Sequence, residues 1–209
     1  LNAKAVLVGD NFRFGNKQAG DTTTLTELGE MNGFDAWALH AIRYRGKVVS
    51  STTIRSLLLA GKVHEAARLL GRFYTLEGEV VKGHGVGSKQ TVPTLNLATD
   101  AEVLPQTGVY VSRTSEKGTY RRWSSITNIG YRPTFGGDQL SVETFLLDPI
   151  EGQPPQRICV ELTHRLREER RFDNAELLKA QILRDVMRAR AWHRRFIVWR
   201  REALTSRRS

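Results

Sequence analysis

The sequence predicts two textures in one chain: an incomplete α/β segment, then a small antiparallel barrel or sandwich closed by a long C-terminal helix. Three observations predict it. Ala5-Val6-Leu7-Val8 is a continuous apolar run ended by Gly9, and helix caps alternate with short apolar runs as far as Gly71. From Phe73, six short β-rich runs follow one another with turn residues between them. Asp173 with Glu176 three residues on then makes a capping box before a helical repeat of apolar positions.

Taken in order, the first run reads as a buried parallel strand. Asp21 to Thr24 offer N-cap oxygens before Leu25 and Leu28, and Gly33 lies where a helix would end. A second strand is expected over residues 35–39. Ser50-Ser51-Thr52-Thr53 caps a helix through Ile54, Leu57 and Leu58 that Gly61 closes, and residues 64–70 make another closed by Gly71. Two strands are too few for a complete parallel sheet. The β-rich runs are 73–82, 93–98, 108–114, 120–129, 141–148 and 157–163. In the last helix Leu178, Ile182, Val186 and Ala189 form the expected apolar face. The division read from this is 1–71, 72–190 and a basic tail, 191–209.

With 209 residues, 40% hydrophobic and 26% charged, the chain is long enough to bury a core and too apolar for a disordered protein. One cysteine, Cys159, excludes an internal disulfide framework and suits a reducing cytoplasm. No apolar run reaches membrane-spanning length, and the first residues lack the charged start of a secretory signal. The absence of an initiator Met is read as a chain that begins partway through something larger. The net charge of +10 points to an anionic partner. It is unevenly placed: residues 73–156 carry 7 basic and 9 acidic side chains, whereas 157–209 carry 15 and 7.

The five histidines, at 40, 64, 84, 164 and 193, show no metal-ligand spacing and read as structural or surface residues. Gly83-His84-Gly85-Val86-Gly87-Ser88-Lys89 is neither a Walker loop nor a dinucleotide fingerprint, because Ser88 stands where Gly is needed. Its backbone N–H groups, with Lys89, could approach a phosphate; a flexible hairpin tip is the equal alternative. In Pro93-Thr94-Leu95-Asn96-Leu97, strand alternation puts Thr94 and Asn96 on one side and the leucines on the other. Hydroxyl and amide oxygens suit a hard cation such as Mg²⁺, and adjacency to the glycine turn favours that over a bare solvent face. Glu143 is the lone carboxylate of an apolar strand: facing inward it would be a desolvated general base, at a sheet edge it would do nothing. Tyr110, Phe135, Phe145 and Phe172 either line a flat pocket or simply fill the core.

Several ordered motifs carry a resemblance. They are Gly78-x-Val80-x-x-Gly83, Gly87, Pro93-Thr94-x-Asn96-Leu97, Gly108-Val109-Tyr110, Asn128-Ile129-Gly130-x-x-Pro133-Thr134-Phe135 and Glu143-Thr144-x-Leu146-Leu147-Asp148. After them come Leu166-Arg167-x-Glu169-x-Arg171-Phe172 and Leu178-x-x-Gln181-Ile182-x-x-Asp185. Over residues 72–190 the chain resembles the riboflavin kinase module of bacterial bifunctional riboflavin kinase/FMN adenylyltransferases. Residues 7–15 and 49–55 are similar to the second half of the adenylyltransferase module, a Rossmann-like nucleotidylyltransferase domain.

The resemblance implies a six-stranded antiparallel β-barrel with a C-terminal helix, acting on riboflavin with ATP and Mg²⁺ to give FMN. It implies Thr94 and Asn96 at the cation and Glu143 as the base for the ribityl 5′-hydroxyl. It places Gly83, Gly85, Gly87, Ser88 and Lys89 over the ATP phosphates, and Leu166, Arg167 and Phe172 in a flap near the flavin. Gly9, Asn11, Phe12, Ser50, Ser51, Thr52 and Arg55 would be the residue of the adenylyltransferase nucleotide site. Leu95 stands where the family usually has Ala, and Thr91 where many members have Gly. The paired-histidine HxGH signature of the adenylyltransferase is missing, so the chain is not expected to make FAD from FMN unaided, even if a full-length parent does.

Two rival readings stand beside this one. An Arg-rich nucleic-acid-binding tail is outweighed by the interleaving of its arginines with Trp192, Phe196, Val198 and Trp199, the pattern of an amphipathic helix with a solvated charged face. A non-catalytic flavin-binding fragment is the other. An exposed half-sheet would also favour a homo-oligomer.

Overall fold

The computed structural model describes residues 3–81, 94–134 and 137–205. They divide into two compact units, residues 1–50 and 51–209.

In the first unit, β1 (Ala5–Gly9) and β2 (Asp35–Leu39) pair in parallel around α1 (Thr22–Asn32). Asp21 caps α1 through Thr24 N at 3.0 Å, and Gly33 ends it at φ 72°, a left-handed position that suits glycine. The expectation that β1 is buried is corrected: Leu7 is 59% exposed, and on β2 Trp37 is 58% exposed. A sheet of two strands with one helix has no second layer to cover its other face. A short hairpin, β3 (Arg43–Tyr44) and β4 (Lys47–Val48), follows; no apolar periodicity announces it.

The second unit opens with α2 (Ser51–Leu59) and α3 (Val63–Leu70). Six strands then close a barrel: β5 (Tyr74–Val81), β6 (Thr94–Ala98), β7 (Gly108–Glu116), β8 (Arg122–Thr134), β9 (Gly137–Leu146) and β10 (Arg157–Arg167). Around the barrel the order is β10-β5-β6-β9-β8-β7, every neighbour antiparallel. Its interior is filled by Leu76, Leu95, Leu97, Tyr110, Ile129, Val142, Leu146, Ile158, Val160 and Leu162. Leu58, Val63 and Ala66 from α2 and α3 are buried in the same core, so both helices pack with the barrel. The structural divide thus falls at Ser50/Ser51, ahead of the Gly71–Phe73 join suggested by the change in texture.

A single helix, α4 (Ala175–Thr205), crosses the expected 190/191 division. Its N-cap is Asn174, whose Oδ1 accepts from Leu177 N at 2.9 Å, one residue beyond the expected Asp173. Its inner face is rotated from the predicted stripe. Gln181, Asp185, Ala189 and His193 are buried, while Leu178 is 41% exposed. The helix covers Val109, Val111, Ile126 and Leu147 on the barrel's outer surface, with Val186 and Trp192 completing that cluster.

Candidate active site

Three neighbouring strands assemble one row of polar side chains. Asn96 on β6 lies opposite Glu143 on β9, and Glu143 lies opposite Asn128 on β8. Directly opposed residues share a sheet face. Leu95, Leu97, Val142, Thr144, Thr127 and Ile129 alternate with these three and are buried, so Asn96, Glu143 and Asn128 occupy the outer face, each half-buried. Thr94 shares that face two residues before Asn96, exposed and opposite Phe145. The pairing of Thr94 with Asn96, and of Leu95 with Leu97, is as alternation requires. Glu143 is neither inward nor at an edge: it sits on the outer face of a strand flanked on both sides.

The row continues through Val109 on β7 to Arg167 at the end of β10, where the ladder carries a bulge. Arg167 Nε donates to Asp185 Oδ2 at 2.9 Å, and Gln181 Nε2 donates to Asp185 Oδ1 at 2.8 Å. The Asp185 side chain, 4% exposed, therefore has both oxygens satisfied. The Arg167 and Arg170 guanidiniums lie 5.8 and 5.9 Å from the Phe172 ring centroid. Leu166 packs into the cluster beneath α4. Arg167 is thus anchored to α4 next to the row.

Two carboxylate-bearing positions, Asp185 and Glu169, stand in the motifs of the resemblance, Glu169 within the expected flap segment, but neither is assigned a role of its own by the sequence. The Gln181/Asp185 pair, one helical turn apart and each followed by an apolar residue, Ile182 and Val186, is a signal that could have found the first: two polar residues on a helix's packed face need partners. Glu169 Oε1 rests on Gly130, so closely that a side chain on that glycine would overlap it. Nothing local in the sequence places those two together.

Other expectations resolve as follows. Gly83, Gly85, Gly87, Ser88, Lys89 and Phe135 lie outside the described residues. Tyr110 is core, its hydroxyl donating to Gln106 O, and Phe145 packs outside the barrel near α4, so these two lie on opposite faces of the barrel wall. Gly9 ends β1, Phe12 N donates to its carbonyl at 3.0 Å, and Phe12 stacks on Phe14 at 5.7 Å. Gly9, Asn11, Phe12 and Ser50 belong to the first unit; Ser51, Thr52 and Arg55 lie on α2 in the second. Burial pushes the Cys159 thiol up, and the Glu77 charge adds to this, opposite to what an activated nucleophile needs. No group of three His, Cys, Asp or Glu able to hold a metal occurs among the described residues. None of their helices is long and apolar enough to cross a membrane.

Fold and site define a class: a closed six-stranded barrel braced by a C-terminal helix, with an oxygen-rich row and a carboxylate on its outer face. The family model described as riboflavin kinase matches residues 70–193, and one described as FAD synthetase matches residues 1–53. The chain belongs to the riboflavin kinase family. It is 36% identical over 192 residues to the bifunctional riboflavin kinase/FMN adenylyltransferase of Pseudomonas fluorescens, covering 91% of this chain and 61% of that protein. The Escherichia coli K12 protein of the same name is 35% identical over 190 residues, covering 91% and 60%. Among solved structures, one described as a macrolide-efflux protein from Streptococcus pneumoniae superposes with a TM-score of 0.77 at 26% identity, covering 91% of this chain and 61% of that one. The chain thus spans about three fifths of the curated relatives it matches.

Proposed function

We propose that the chain is a riboflavin kinase, transferring the γ-phosphoryl group of ATP to the 5′-hydroxyl of riboflavin to give FMN and ADP. The row Asn96–Glu143–Asn128, on a barrel that matches the riboflavin kinase family, carries this reading. Glu143 takes the hydroxyl proton as the oxygen attacks the γ-phosphorus. The new O–P bond forms as the bond to the β,γ-bridging oxygen breaks, and ADP leaves. Thr94 and Asn96 present hard oxygen donors on one face and fit a divalent cation, Mg²⁺ in this proposal, which when bound would neutralise phosphate charge. Gly83, Gly85, Gly87, Ser88 and Lys89 take the ATP phosphates, and Leu166, Arg167 and Phe172 the flavin side. Glu143→Gln is expected to lower turnover by about 10²–10⁴ with the fold retained, read by FMN formation and circular dichroism. An unchanged rate would remove Glu143 as the base.

The match of residues 1–53 extends the proposal: a longer protein carrying this segment within a complete module would adenylylate FMN to FAD. The 209 residues alone would not, because no two of their histidines stand at HxGH spacing. On this reading residues 1–71 serve the adenylyltransferase, 72–190 the kinase, and 191–209 are a basic C-terminal tail, of which 191–205 continue the bracing helix. The cytoplasm, where ATP is abundant and Cys159 stays reduced, is the proposed location. Exposed Leu7, Trp37 and Leu39 on the two-stranded sheet support self-association. For the tail, Trp192 stacks on Phe196 at 5.0 Å and Phe196 lies 5.7 Å from Phe73, so these two rings are engaged within the chain; nothing supports the nucleic-acid reading.

A further inference from the structure

We propose that Asn128 and Glu169 form a polyol subsite that recognises the inner hydroxyls of the acceptor's sugar-alcohol chain; this rests on the riboflavin kinase reading. Three observations lead to it. Asn128 is directly opposite Glu143, on the side away from Asn96. Glu169 Oε1 lies against the Cα of Gly130, two residues beyond Asn128 on the same outer face. A methyl placed on Gly130 would lie 3.0–3.4 Å or less from both groups, overlapping Glu169 Oε1 and standing 3.1 Å from Asn128 Nδ2. A carboxylate acceptor and an amide therefore converge on one spot beside the proposed base.

The polarity of the row assigns its two ends. Thr94 and Asn96, neutral oxygen donors, lie on one side of Glu143 and suit a cation with its phosphates. A carboxylate at the other end repels phosphate and favours an uncharged, hydroxyl-rich group. One hydroxyl of a diol can donate to Glu169 while its neighbour accepts from the Asn128 amide, a bond that an ionised carboxylate, an acceptor only, cannot supply. With the terminal hydroxyl at Glu143, the inner hydroxyls of the same chain extend toward Asn128 and Glu169. Two residues before Glu169, Arg167 is held by the buried Asp185. The observed place of Glu169 Oε1 requires that residue 130 have no side chain, so Gly130 is a positioning residue.

The test compares two acceptors in each enzyme: riboflavin, and the same flavin bearing a 5-hydroxypentyl chain, which keeps the terminal hydroxyl and lacks the inner ones. The full chain is expected to prefer riboflavin in kcat/KM by about tenfold or more, as losing hydrogen bonds to a charged partner implies. Asn128→Ala and Glu169→Ala should each reduce that ratio several-fold through KM for riboflavin, and Gly130→Ala should do the same by displacing Glu169. Because each variant is its own control, partial misfolding lowers both rates and leaves the ratio intact. A ratio in Glu169→Ala and Asn128→Ala equal to that of the unmodified chain would overturn the subsite. Phosphorylation of neither flavin by the unmodified chain would overturn the kinase reading and the subsite with it.

Discussion

Five hydroxyls inside the barrel bond to one another in a line. Thr114 Oγ1 pairs with Ser125 Oγ at 2.8 Å, Ser125 with Ser112 at 2.8 Å, Ser112 with Thr127 at 2.7 Å, and Thr127 with Thr144 at 3.0 Å. All five residues are at most 1% exposed. Each hydroxyl can donate once and accept twice, so the four bonds give every member of the line at least one partner without water. Thr127 and Thr144 adjoin Asn128 and Glu143 in sequence, so the interior chain and the outer row share one register. Thr127→Val removes two links at constant shape and should lower unfolding free energy by about 1–3 kcal/mol in urea titrations. Adding Thr144→Val should cost less than the sum of the single changes, because the two residues share a bond. Strict additivity would contradict a connected chain.

These residues also show what could be read in advance and what could not. Alternation predicts that Thr94 and Asn96 share a face opposite Leu95 and Leu97, because that strand has one apolar side. On β7 and β8 it misleads: Val109, Val111 and Ile126 face outward beneath α4, while Ser112, Thr114, Ser125 and Thr127 face the interior. When both faces are covered, apolar alternation no longer marks the inside. Whether Glu143 faced in or out was therefore undecidable until its cross-strand partners were known. The meeting of Glu169 with Gly130 depends on a loop docking across 39 residues of sequence, which no periodicity encodes.

At the scale of elements, the helices before the barrel are the least expected part of its core. Leu58 is 1% exposed within the core cluster, and its carbonyl accepts from Gln106 N at 3.1 Å. It precedes the segment matched by the riboflavin kinase family. The change of texture at Phe73 marks where strands begin, which need not be where packing divides. Leu58→Ala should lower stability by about 2–5 kcal/mol, as for a well-packed core leucine, measured by chemical denaturation. A loss under about 1 kcal/mol would mean that α2 contributes little to the barrel's stability. On the other side, α4 is held by ordinary packing plus polar anchors: Arg190 Nη2 donates to Leu147 O at 2.8 Å, beside the Arg167–Asp185 pair.

For the whole molecule, charge and acid response follow from where side chains are buried. Several arginines of the basic C-terminal quarter are engaged within the fold, among them Arg165 with Thr107 O, Arg167 with Asp185 and Arg190 with Leu147 O. His193 is 5% exposed, and burial above all holds its pKa below the ordinary imidazole range, with nearby Arg113 adding to this. His164 is lowered in the same way, by burial first and then by His64 and Arg188. A histidine kept neutral in the fold favours the unfolded state once acid can protonate it there. Its contribution is therefore complete above the ordinary value near 6.5 and is lost as pH falls from there toward the lowered folded value. Urea stability should drop between about pH 7 and pH 5, and His193→Gln should flatten that drop relative to its own value at pH 7. An identical slope in the variant would show that His193 does not couple folding to protons.

The row Asn96–Glu143–Asn128 stands or falls with the reaction it supports. Incubating the 209-residue chain with riboflavin, ATP and Mg²⁺ and separating riboflavin, FMN and FAD by chromatography tests it most directly. FMN should form in amounts that grow with time and depend on ATP, with no FAD above background. Riboflavin left unconverted by folded chain would contradict the kinase assignment, and FAD appearing with FMN would contradict the proposal that these 209 residues alone do not adenylylate FMN.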